Sequence, residues 1–180
     1  MTKPICIALA QNNFNLILFC LISQPLQAQD SCACCTPERQ AFDFGLGDRV
    51  VFDTADNQIG ENIIVKLEDG CIIDENWKGC AGGSGKSYNY YNATDSTWNQ
   101  VWITNSCNNL VLTGRRAGNA MVLRSELLPG QRIPLYFNQL TWTNHADGTV
   151  IQNWEICNPE GVVVNTPFYG IYKRRKKNKV

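Results

Sequence analysis

The chain has 180 residues, nine of them cysteine, and its 16 basic and 16 acidic side chains cancel to a formal charge of zero. The balance hides an acidic body: Gln29 to Tyr172 carries nine Lys and Arg against sixteen Asp and Glu, while six basic residues crowd between Lys173 and Lys179. Such a body argues against nucleic acid as a partner, and the basic tail, 174–180, reads as a solvated terminus rather than a membrane contact.

Lys3, an apolar run from Phe14 to Ile22 and Ala28 before Gln29 have the layout of a secretory signal peptide. The run is too short for a membrane span of ~20 residues. Residues 1–28 are therefore expected to be removed and the protein exported, to a periplasm or beyond. Cys6 and Cys20 would leave with that segment, so seven cysteines remain. Export and many cysteines together imply disulfides.

Residues 29–47 read as a Cys-rich segment and a short helix. Cys32-Ala-Cys-Cys35 lacks the second ligand pair of a zinc site, so no metal is expected. Thr36 can cap a helix that begins with Pro37 and Glu38 and runs to about Phe42.

Residues 48–173 are strand-like throughout. Aromatic and β-branched residues alternate with polar ones, and turn residues recur at short intervals. The expected strands are 49–54, 62–68, 71–78, 86–92, 97–104, 110–115, 120–127, 133–143, 149–157, 162–165 and 168–173. Asp69-Gly70 is the strongest hairpin signal among their connections. No connection has room for a crossover helix, so neighbouring strands must be antiparallel. The fold class expected is all-β: an up-and-down antiparallel barrel of about ten strands, with a two-sheet β-sandwich as the alternative.

Phe42-Asp-Phe44, Gly47, Glu75-Asn-Trp77, Ser84-Gly-Lys-Ser-Tyr-Asn-Tyr-Tyr91 and Trp98-Asn-Gln-Val-Trp102 resemble a group of exported bacterial proteins of unassigned function. Those proteins are themselves similar to lipocalin-like, or calycin, barrels. The similarity spans 32–173. It implies a barrel able to hold a small apolar ligand, and names no ligand. In that group a Trp usually follows the Phe-Asp-Phe and another stands two residues beyond the glycine. Here those positions are Gly45 and Arg49, so the plug at the barrel base should be built differently.

No motif dictates a reaction, and no cofactor is expected. Gly82-Gly-Ser-Gly-Lys-Ser87 lacks the first glycine of a phosphate loop, since position 80 is Cys. His145, the only histidine, sits in an expected turn. The interior carries more information. Trp98, Gln100 and Trp102 share one strand face, as do Glu75 and Trp77, and Gln152 and Trp154. With Tyr90 they form the candidate ligand-binding set: apolar walls with a few polar handles. Three readings follow. The barrel binds a small, partly apolar molecule; or it is an enzyme with Glu75 as acid or base; or it is a filled structural barrel whose polar groups bond one another.

Hairpin geometry orders the cysteines. Cys71 and Cys80 flank one strand and would lie ~30 Å apart, beyond the ~7 Å reach of a disulfide. In a meander the turns alternate ends. Cys80, Cys107 and Cys157 fall at one end; Cys71 falls at the other with Cys32, Cys34 and Cys35. The expected bonds are Cys80–Cys107, and Cys71 with one of the three N-terminal cysteines. The glycine-rich loop then borders the open mouth.

Overall fold

The computed structural model describes residues 32–176. The expected signal segment, with Cys6 and Cys20, and the last four residues of the basic tail lie outside the described residues. The first strands are β1 (Gly47–Phe52), β2 (Gln58–Leu67), β3 (Ile72–Gly79), β4 (Ser84–Asn92), β5 (Thr97–Thr104) and β6 (Asn109–Ala117). β7 (Ala120–Arg124), the two-residue β8 (Leu128–Pro129), β9 (Leu135–Asn144), β10 (Val150–Cys157) and β11 (Val163–Arg174) complete the chain. Among the described residues no helix is long and apolar enough to cross a membrane.

All pairings are antiparallel, and ten strands close in chain order. β11 bonds both β10 and β1, and β8 adds only to β9. This closure excludes the sandwich, which would leave two sheets with free edges. Glu68, Asp69 and Gly70 all take positive φ in the β2–β3 reversal. Asp and Gly tolerate that conformation best, which explains the Asp-Gly hairpin signal.

Three expectations need correction. The Thr36–Phe42 helix does not form. Residues 37–42 make consecutive turns that pass into a 3-10 turn, Asp43–Gly45. The Glu38 carbonyl accepts the Ala41 N–H at 3.4 Å, as in a tight turn, and the Trp98 indole N–H at 3.1 Å. The strands expected at 162–165 and 168–173 are one strand, β11. Its register shifts between Trp154 and Ile156 of β10, and Pro167 sits at that bulge, where a missing N–H costs no ladder bond. β11 also runs into the tail: Arg174 pairs with Arg49, and Arg175 bonds Asp48 and Glu61.

The third correction concerns sulfur. Cys34 is bonded to Cys71 and Cys32 to Cys35, whereas Cys80, Cys107 and Cys157 are free. Cys80 follows β3 and Cys107 follows the end of β5, with the β4 terminus between them. Two strand spacings are ~10 Å, too far for a bridge. Asn105 holds the separation. It donates to Gly82 O and accepts from the Ser84 N–H, clasping the intervening loop. The two disulfides mark an oxidising, non-cytoplasmic environment.

The core fills the closed half of the barrel. Phe42 enters from the N-terminal segment and packs its ring 5.4 Å from Phe44, 5.6 Å from Trp98 and 5.9 Å from Trp142. Ile64, Ile73, Leu112, Met121 and Leu140 surround this plug. Arg49, 1% exposed, donates to the carbonyls of Phe44 at 2.7 Å, Leu46 at 3.3 Å and Gly148 at 2.9 Å. The Arg49 guanidinium thus ties the plug's backbone down, its fan of donors suiting several carbonyls at once.

Candidate functional site

Above the plug the barrel is not filled. A cavity of about 230 Å³ opens between the loops at the far end. Trp77, Trp102, Trp154, Phe168, Leu110 and Leu140 form its walls; Glu75, Gln100, Gln152 and Tyr172 its polar floor; Gly83, Ser84, Thr104, Asn105 and Ser106 its rim.

Strand register places these groups. Glu75 of β3 lies opposite Ser87 of β4, and Ser87 lies opposite Trp102 of β5. Four strands beyond β5, Gln152 of β10 faces Gly170 of β11. Small residues make room for the rings. A Cβ on Gly85 would fall 2.6 Å from Trp102 Cζ2 and 2.7 Å from the Ile103 carbonyl, so the indole lies flat against bare backbone. Gly60 does the same for Trp77.

The floor is a hydrogen-bonded cluster around Glu75, itself 4% exposed. Asn62 Nδ2 donates to Glu75 Oε1 at 2.6 Å, and Ser87 Oγ donates to Oε2 at 2.6 Å. Gln100 Nε2 reaches Ser87 Oγ at 3.2 Å and Glu75 Oε2 at 3.5 Å. Asn89 Nδ2 donates to Ser87 Oγ at 2.9 Å. Tyr172 gives its phenolic proton to Gln152 Oε1. Burial pushes the Glu75 carboxyl above its ordinary range; the Ser87 and Asn62 hydrogen bonds oppose this, and neighbouring Asp74 adds to it. Burial, then the charge of Glu75, raises the Tyr172 phenol well above its ordinary value. The cluster is not closed on itself: Asn62 Oδ1, Asn89 Oδ1 and Gln100 Oε1 are buried without a partner.

Of the eight residues expected to line a pocket, six do: Glu75, Trp77, Gln100, Trp102, Gln152 and Trp154. Tyr90 does not. It pairs with Ile72 and Asn99 on the outer face and is 43% exposed. Trp98 points inward but sits at the closed end, against Phe42 and Tyr91. The four steps from it to Trp102 amount to ~13 Å along a strand. Sequence reasoning missed Asn62 and Ser87, which donate to Glu75, Asn89, which donates to Ser87, and Phe168 and Tyr172, which complete the wall and floor. Ser87 and Asn89 had a signal: they share one face of β4, opposite to Tyr88 and Tyr90.

Compared with protein-family models and with curated proteins, the chain matches none.

Proposed function

We propose that this chain is an exported, lipocalin-like barrel that holds one small, partly apolar molecule in its open-end cavity. The carrying observation is the cavity itself: three indoles face a polar floor whose hydrogen bonding is incomplete. A filled structural barrel would close both the void and the network.

The enzyme reading is weaker for a specific reason. Acid–base chemistry at Glu75 needs a second proton-carrying group within reach of the reacting atoms. The hydrogen-bond partners of Glu75 among the described residues are Asn62, Ser87 and Gln100, and none of them titrates near neutrality. Tyr172, which feels the Glu75 charge, is committed to Gln152.

Tryptophan emission tests the binding reading, because three of the five Trp residues line the cavity. Benzyl alcohol should shift the emission saturably, and Trp102→Ala should weaken its binding. An emission spectrum unmoved by the probe contradicts the proposal.

A further inference from the structure

We infer that the occupant of the cavity is a small organic cation: a protonated primary amine on an apolar body of about one ring. The inference rests on the binding reading above and adds the ligand's charge and hydrogen-bonding character.

Among the described residues, Glu75 is the only charged side chain that lines the cavity. Its partners are neutral donors, and the ion pairs among the described residues all involve other carboxylates. Buried carboxylates are ordinarily paired with a cation or a metal. This one accepts from three neutral donors, and among the described residues no counter-charge accompanies it.

Gln100 makes the second point. Its Nε2 is committed to Ser87 and Glu75, both acceptors, and this fixes which way the amide faces. The other end, Oε1, is unpaired but sealed from the cavity, so Gln100 keeps no free donor for an anionic ligand.

The rings supply the third point. Trp77, Trp102, Trp154 and Phe168 make the walls of the cavity, and the faces of such rings are electron-rich. Such faces attract cations, most strongly where water is excluded. An anion would meet Glu75 and these faces together. A neutral apolar molecule would bring nothing to the Glu75 carboxyl. A primary ammonium would donate to it, and its apolar body would pack on the indoles. The cavity, at about 230 Å³, lies below the ~300–1,000 Å³ of drug-sized sites, which limits that body to about one ring.

Three probes of nearly equal size test this on the wild-type protein by calorimetry at neutral pH: benzylammonium, benzyl alcohol and benzoate. The cation should bind at least about tenfold more tightly than the alcohol, with benzoate weakest. Glu75→Gln, checked for a native melt, should bring the cation to within about threefold of the alcohol. If the alcohol or benzoate binds as tightly as the cation, the inference is overturned and the cavity reading stands. If none of the three binds, both are overturned. The wild-type ranking needs no variant, so a Glu75→Gln protein that fails to fold does not shelter the inference.

Discussion

Removing the Cys34–Cys71 bridge would show how much the closed end depends on its staple. The bond joins residues 37 apart, whereas Cys32–Cys35 joins residues 3 apart. Loop-closure entropy then assigns ~4 kcal/mol to the long bridge and ~1.6 kcal/mol to the short one at 25 °C. The long bridge anchors the segment that carries Phe42 into the core. For a domain of this size ~1 kcal/mol corresponds to ~2–4 °C in Tm. Replacing Cys34 and Cys71 together by Ser should therefore lower Tm by ~8–16 °C. The Cys32 and Cys35 pair should cost less than half of that. Thermal and urea melts followed by tryptophan emission, with the remaining thiols blocked, measure both. Equal losses from the two double variants, or less than ~1 kcal/mol from the first, would refute the reasoning.

Arg49→Met strands the carbonyls of Phe44, Leu46 and Gly148 at the closed end. A lowered urea midpoint, equivalent to ~2–4 kcal/mol, is the expected outcome. Gly85→Val drives a side chain into Trp102 and the Ile103 carbonyl. It should cost ~1–3 kcal/mol and abolish the emission change with benzyl alcohol; unchanged binding would mean that Trp102 does not wall the site. Glu75 gives a pH dependence whose sign follows from burial, opposed by Ser87 and Asn62 and reinforced by Asp74; Tyr172 is the other ionisable group beside it. Its native pKa lies above the ordinary 4.5, so its contribution to stability is complete below pH 4.5 and is lost as pH rises through the native value. Glu75→Gln removes that loss, and stability profiles of variant and wild type should diverge above pH 4.5; parallel profiles would contradict the burial argument.

The strands were legible because turn chemistry and alternation repeat along the chain. The same alternation put Glu75 with Trp77, Gln100 with Trp102, and Gln152 with Trp154 on inward faces. It misled at β4, where the usual polarity is inverted. Ser87 and Asn89 are fully buried around Glu75, while Tyr88 and Tyr90 are exposed. A face bearing two tyrosines looks like the inner one until the carboxylate's need for donors is considered. Trp98 shows a second limit: alternation assigns a face but not a depth, and depth separates plug from wall. Thr36, Pro37 and Glu38 satisfy local capping rules, yet no helix forms there. The Cys34–Cys71 bridge and the Trp98 indole hold the segment in a path that local rules do not contain. The Cys80–Cys107 expectation had the correct end of the barrel but ignored the strand lying between the two turns.

The claim that the barrel is a binding protein is tested most directly by native mass spectrometry of the disulfide-bonded chain, purified from the cells that make it. The account predicts one adduct per chain, of the mass of a ring-sized molecule, and its absence from Trp102→Ala. A bare mass that stays bare when benzyl alcohol is added would contradict it.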